Sequence, residues 1–565
     1  MKLDLETAIH YFDTLDSDAE NFNTMYEDVA RYFLPQRSGF LGKKSAGEEK
    51  TDYLMDSIGP ETIEDLSNYI ASVTTPAGVD WFGVSFRDKK LMKVKRVKEW
   101  SQEVTRLMHQ EISESNFEAE ASEYYKDYSG FGTASMRCTA KTSRGEYAGL
   151  SFKSEYLRGI RGMENQYGEL DLTFFESAMT AKAIQQQFAG QEGVDETSLP
   201  VHDDENPQKM YQILHCIYPR DDADIDEAAY GFEDVASDAL PFGSMWINYT
   251  EKSLIKESGY YEPARSVARW YRNADAWNGY SPALLAMPDV RELNAMKRLE
   301  KVAVEKNIDK PILTESNNAQ GDINSGAGKI TTVDNINGTR YWDNGTDFNV
   351  TMFKADEMRQ AIRMIMFTDI IREPLGDSGQ KTAFEIAKRM ERANRLLGQA
   401  MSRLRTEFVS WTVLRVFSIM YRNNRLPEIP EELGDSVELD IRYTSPIAIS
   451  QSSAKLDNID MLVSRMLQIA SARTPQNPGA DPIWDYFSED GWMAEVQDVQ
   501  NTPATIIRSE KEVQGMRQER QQAEQQANQM AMAEQASGVV RNIGAGAGEK
   551  AGQEAQEVIK QSFGQ

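Results

Sequence analysis

Between Ser281 and Asn424 the chain spells a helix, a long punctuated connection, a second helix, a glycine-bearing loop and a third, much longer helix. Ser281 and Pro282 supply an N-cap and a preset first helical residue, and from Pro288 onward Val290, Leu293, Met296, Leu299 and Val302 recur along one stripe. About 20 residues of such a helix reach about 30 Å. Lys310-Pro311 stops it, and residues 311–352 hold Asn317-Asn318, Gly321, Gly326, Gly328, Asn337-Gly338 and Asn344-Gly345, a pattern that predicts short hairpins. The next helix, Phe353 to about Thr368, turns Met358, Ile362 and Ile365 inward before Pro374 to Gly379 break it. Thr382 and Glu385 form a capping box. From there to Asn424 Gly398 is the sole glycine, proline is absent, and Ile386, Met390, Ala393, Leu397, Leu404, Phe408, Leu414 and Phe417 keep helical spacing. That is roughly 60 Å of helix, a length that usually bridges two layers of a larger assembly.

Ahead of this region the chain predicts a mixed α and β domain over residues 1–275. Leu5, Ile9, Phe12 and Leu15 mark an amphipathic helix ending near Pro35. A loop over 36–51 follows, then a helix after Gly59-Pro60 with Ile63, Leu66, Ile70 and Val73 on one face, a strand from Trp81 to Phe86, and a helix across Val94 to Ser115. Beyond it the reading is β-rich: alternating runs at 135–140, 170–175 and 211–219, then strands within 241–272. After the long helix a strand from Val437 to Tyr443 leads back toward this domain, residues 450–500 predict short helices, and the Gln, Ala, Glu and Met of 506–536 favour helix, with a flexible end at Gly544 to Gly548.

The bulk numbers exclude more than they assign. With 62 basic and 89 acidic residues the formal charge is −27, a poor basis for tight grip on phosphates, so a nucleic acid here would be passed along rather than held. Cys138 and Cys216 lie in no C-x-x-C spacing, which argues against disulfides and thiolate metal sites and fits a reducing compartment. The acidic N-terminus lacks the pattern of a signal peptide and no window has the apolar length of a membrane span, so the expectation is a soluble protein of the cytosol.

Chemistry-bearing motifs are mostly missing. A phosphate-cradling G-x-x-x-x-G-K-[ST] would be needed for a nucleotide motor, but Gly42-Lys43 has Arg37 at the first glycine position and Glu549 interrupts Gly548 and Lys550. In 221–234, Asp222, Asp224, Asp226 and Glu233 take calcium-loop positions, yet Glu227 stands where the sharp turn needs glycine, so this reads as a solvated acidic loop. His10, His109, His202 and His215 share no zinc spacing, and His215 and Cys216, neighbours on a predicted strand, would face opposite ways. No metal or cofactor is expected. Lys89, Lys90, Lys93, Lys95, Arg96 and Lys98 could touch DNA or an acidic partner, but a solvated helix start is the preferred reading.

Three runs carry a resemblance: 56–86 (DSIGPETIEDLSNYIASVTTPAGVDWFGVSF), 270–313 (beginning WYRNADAWNGYSPALLAMPDV) and 381–407 (KTAFEIAKRMERANRLLGQAMSRLRTE). With FGTASM at 131–136, LPEIP at 426–430 and YTSPIAISQ at 443–451, they are similar, in order and over about residues 1–460, to the head-to-tail connecting (portal) proteins of short-tailed phages. The resemblance implies an α+β portal fold and a ring, usually of twelve subunits, at one capsid vertex. It implies a wing from 1–275 and 425–450, a stem from 281–308 and 353–369, a clip at 309–352, a tunnel loop at 370–381, a joining helix at 382–424, a crown at 451–505 and a helical or flexible tail at 506–565. Implied partners are double-stranded viral DNA, the terminase packaging motor, a tail adaptor, and the major capsid and scaffolding proteins. No membrane is implied, and the place would be the virion after assembly in host cytoplasm.

Within that scheme the expected channel residues are Arg372, Glu373, Asp377, Gln380 and Lys381 in the tunnel loop, and Arg291, Lys297, Arg298, Lys301 and Lys306 on the stem. Two rival readings are a magnesium-dependent enzyme acting on nucleic acid, hinted at only by the acidic loop, and a non-ring internal head or tail protein.

Overall fold

The structure is a computed structural model. It describes residues 3–42, 49–88, 91–143, 146–191, 193–201, 206–220, 240–273, 276–308, 312–315, 326, 328–333, 348–372, 392–393, 395–433, 439–443, 446–474, 481–488, 490–493, 496 and 510–546.

The chain opens with α1 (Leu5–Phe33), capped by Asp4, whose carboxylate accepts the Thr7 N–H at 2.8 Å. Then come α2 (Ile58–Thr74), β1 (Phe82–Phe86), α3 (Lys95–Glu114) and α4 (Phe117–Phe131). The fourth helix corrects the expectation that strands follow Ser115 directly. Its Phe117, Ala121, Tyr124, Tyr128 and Phe131 are buried at helical spacing, so burial outweighed the β preference of its aromatics. Strands β2 (Thr133–Ser143), β3 (Glu146–Glu155), β4 (Ile160–Glu164) and β5 (Leu170–Thr180) precede α5 (Ala181–Phe188). Strands β6 (Met210–Pro219), β7 (Phe242–Asn248), β8 (Ser253–Tyr260), β9 (Arg265–Arg269), β10 (Tyr271–Arg272) and β11 (Gly279–Tyr280) complete this part.

An antiparallel sheet in the order β4-β5-β6-β7-β8 is covered on both faces. Phe12 of α1 packs on Phe174, Leu214, Cys216 and Met245, while Ile184 and Phe188 of α5 pack on Ile213 and Trp246. The alternation that puts Cys216 on the first face puts His215 on the second, stacked on Trp246 with ring centroids 4.0 Å apart. A three-stranded sheet, β3-β2-β9, backs a larger core formed with α2, α3 and α4. Between the sheets the Arg265 guanidinium lies against Glu155 and donates to His215 Nδ1 at 3.0 Å, while His215 Nε2 lies 3.0 Å from Ser244 Oγ. Burial, then Arg265, Arg137 and Lys256, push the His215 imidazole well below its usual pKa, so it stays neutral.

Next are α6 (Pro282–Ile308), β12 (Ile312–Glu315), β13 (Ile330–Val333), α7 (Phe348–Ile365) and the four-residue α8 (Thr368–Ile371). β12 and β13 pair in parallel, so this pair is not one of the expected hairpins. The Asn-Gly pairs at 337 and 344 lie outside the described residues. The second helix starts at Phe348 rather than Phe353, and Phe367, at φ 61, separates α7 from α8.

The expected helix over 382–424 is described from residue 392, where a bend at Leu397 separates helical residues from α9 (Gly398–Leu404), which continues through a π turn at Arg405–Val409 into α10 (Ser410–Arg422), so it is not one unbroken helix. The capping-box pair Thr382 and Glu385 lies outside the described residues. The π turn adds one residue to the helical repeat, so burial passes from Leu404 and Phe408 to Thr412, Val413, Val416 and Ile419. Leu414, expected on the inner face, is exposed for that reason. β14 (Leu439–Tyr443) then pairs antiparallel with β1. Pro446–Arg473 is a single helix, α11, instead of several short ones, and α12 (Glu510–Gly546) includes Gly544 and Gly546, expected to be flexible, while Gly548 lies outside the described residues. The molecule is a mixed α+β structure with several small sheets.

Candidate functional site

The expected stem begins at a tight backbone crossing. Ser281 Oγ accepts from the Leu284 N–H at 3.3 Å, making the N-cap, and donates to the Gly130 carbonyl at 2.6 Å. The Gly279 N–H donates to Thr133 Oγ1 at 2.8 Å. Gly132, left-handed at φ 76, ends α4, and any Cβ on Gly279 would collide with the Gly132 carbonyl oxygen. Only two glycines let the end of α4 and the entry to α6 approach this closely.

From that crossing α6 buries Ala283, Ala286, Val290 and Leu293 and lies alongside α7, which buries Ala355 and Ile362. Pro288 sits within α6 on its exposed side. The apolar stripe read from sequence divides along its length: Val290 and Leu293 are fully buried, whereas Leu299 is 69% exposed and Val302 is open, as are Val304 and, at 81%, Ile308 outside the stripe.

The expected stem cations differ in their settings. Arg291 is ion-paired with Asp28 of α1. Lys297 is partly buried and pairs with Glu300 at 2.8 Å. Arg298, Lys301 and Lys306 are exposed on the distal half of α6. Arg372, expected in the tunnel loop, pairs with both Glu61 and Asp65 of α2, and the bond to Asp65 chiefly raises its pKa. Glu373, Asp377, Gln380 and Lys381 lie outside the described residues.

Sequence reading missed the partners of this arginine. Arg359 donates to Asp56 at 2.6 Å and Arg363 to Glu61 at 3.1 Å, so three arginines of the α7–α8 segment meet three carboxylates on or just before α2. Asn294 of α6 joins them, its Oδ1 accepting the Met55 and Asp56 N–H groups at 2.8 and 3.2 Å. The only sequence signal is a match of spacing: Arg359 and Arg363 are four apart on one helix, Glu61 and Asp65 four apart on another.

The long helix is fastened with equal density. Glu407 binds Arg269, which also pairs with Glu164. Arg415, fully buried, donates to Glu262 at 3.0 Å and to the Cys138 carbonyl at 3.3 Å, and Arg422 donates to Glu262 at 2.7 Å. Burial pushes the Glu262 carboxyl up, but Arg422 and Arg415 outweigh it and hold it below the usual range.

Among the described residues no group of three or more His, Cys, Asp or Glu is placed to hold a metal ion, and the acidic stretch 221–234 lies outside them. Among them, too, no helix is long and apolar enough to cross a membrane. Of the basic run at 89–98, Arg96 lies 3.9 Å from Glu432 and the Trp100 indole N–H donates to the Pro427 carbonyl at 3.1 Å, so the start of α3 faces an acidic segment of the same chain.

The chain is 24% identical over 538 residues to the "Probable portal protein" of Bordetella phage BPP-1, covering 94% of this chain and 93% of that one. It is 25% identical over 542 residues to the "Portal protein" of Salmonella phage epsilon15, covering 93% and 92%. The family described as bacteriophage head to tail connecting protein matches residues 5–507. The chain therefore belongs to the family of bacteriophage head-to-tail connecting proteins.

Proposed function

We propose that copies of this chain close into a ring, near twelve in number, at the portal vertex of the capsid, enclosing a channel for double-stranded viral DNA during packaging, retention and ejection. The observation that carries the reading is the near full-length family match joined to α6. The inner face of its proximal half, with Ala283, Ala286, Val290 and Leu293, is buried in the chain's own core, and its distal half presents Leu299, Val302 and Ile308 to solvent. Apolar surface left uncovered among the described residues of one copy finds cover against the next in a closed heterologous ring.

In this reading 1–275 and 425–450 form the wing, 281–308 and 353–369 the stem, 309–352 the clip that meets the terminase packaging motor and later the tail adaptor, and 370–381 the tunnel loop. The joining helix of 382–424 connects stem to wing, and residues 451–505 and 506–565 form crown and tail. The wing meets major capsid and scaffolding proteins, and assembly takes place in host cytoplasm. The exposed Arg298, Lys301 and Lys306, interspersed with Glu292 and Glu305, suit a polyanion that slides rather than binds, as does the net charge of −27. The role is mechanical, with no bond made or broken.

Heads assembled without this chain should fail to fill with DNA, and supplying the chain during assembly should restore filling. DNA-filled heads formed in its absence would refute the reading.

A further inference from the structure

Helix α8 is too short to hold itself: four residues make a single turn, and it follows Phe367, a bulky residue at positive φ. Its local bonds are few, with Arg372 N–H donating to the Thr368 carbonyl at 2.9 Å and Thr368 Oγ1 to the Arg363 carbonyl at 3.3 Å. What fixes its end lies on another element. The Arg372 guanidinium spans Glu61 and Asp65, one turn apart on α2, and Glu61 is shared with Arg363. α2 itself is rigidly seated, with Ile63, Leu66 and Ile70 buried in the main core.

We propose that Glu61 and Asp65 are positioning residues that fix the chain where it leaves α8 at Arg372, so that the disposition of the segment entering the tunnel loop is set by α2. An isolated exposed ion pair would do little, but Arg363 and Arg372 share Glu61 on one helix and Arg372 adds Asp65, and the planar guanidinium is the cation able to bridge two carboxylates one turn apart. Arg372 is thereby assigned to holding the start of the loop. The functional half of this inference rests on the channel reading; the structural half does not.

The test uses the full-length chain and two readouts. Amide hydrogen exchange over 366–372 should rise at least tenfold in the double variant Glu61→Gln, Asp65→Asn. It should stay at the wild-type level in Asp56→Asn, which removes only the Asp56 pair of Arg359 and leaves its pair with Asp356, and be intermediate in Arg372→Lys. In heads assembled with the double variant, DNA retained per particle should fall at least threefold while ring size by mass photometry stays unchanged. Exchange within twofold of wild type would overturn the clamp. Faster exchange with undiminished DNA retention would overturn its positioning role. Wild-type heads that never fill would count against the channel reading, and the exchange measurement would still decide the clamp.

Discussion

Glu407, inside the π turn of the long helix, takes two bonds from one residue of β9: the Arg269 backbone N–H at 2.7 Å and the Arg269 guanidinium at 2.9 Å. The same π turn offers its Glu407 carbonyl to Ser266 Oγ at 2.5 Å, so the register slip in the helix is matched to the strand beside it. Removing the carboxylate strands a cation that is only 4% exposed, with Glu164 left as its sole acidic partner among the pairs described. Glu407→Ala should destabilise the protein by about 2–3 kcal/mol, read as a lowered urea midpoint, and Glu407→Gln by less because the amide oxygen still accepts.

Asp127 gives a pH signature. Burial pushes its carboxyl up to about 7 against the pull of Arg37, whose Nε lies 3.1 Å away. The folded state therefore holds a proton that the unfolded chain releases near 4, and the stability from this group, complete below that value, is lost as pH rises through about 7. His215 acts in the opposite sense, since its folded pKa is depressed and its contribution is lost as pH falls below the ordinary histidine value. The two offset each other in the wild type. Asp127→Asn should expose the histidine's slope, giving stability that climbs more steeply between pH 4 and 6.5 by up to ~1.4 kcal/mol per pH unit in urea titrations.

Gly279→Ala should be among the most damaging single-methyl additions, because the collision is with the Gly132 carbonyl and backbone on both sides must move. A loss of at least ~3 kcal/mol, or failure to accumulate as soluble protein, is expected. Gly398→Ala, with open space around the position, is the control and should be neutral or stabilising by up to ~1 kcal/mol.

Leu299 separates folding from assembly. Since it is exposed in the single chain, Leu299→Asp should leave the urea midpoint of the unassembled chain within ~0.5 kcal/mol of wild type while abolishing rings in electron micrographs. Unaltered ring formation would remove the distal α6 face from the subunit contact.

What could be read in advance follows the range of the forces involved. The Ser281 cap, the Pro282 start, the face of α2 and the opposite facing of His215 and Cys216 depend on neighbours within a turn or a strand pair, and each is present as expected. The helix at Phe117–Phe131 was hidden because its aromatics suit strands and helices alike, and only burial decides. The π turn was hidden because no residue encodes it locally; Ser266 and Arg269, some 140 positions earlier, hold it open. Likewise, Arg372 read as a channel cation while its acceptors, Glu61 and Asp65, lay more than 300 positions away.

The most direct measurement is the symmetry of the purified full-length chain in electron micrographs. The account predicts closed annular particles of near twelve copies around an open axis wide enough for duplex DNA. A population of monomers alone, under conditions in which heads assemble, would contradict it.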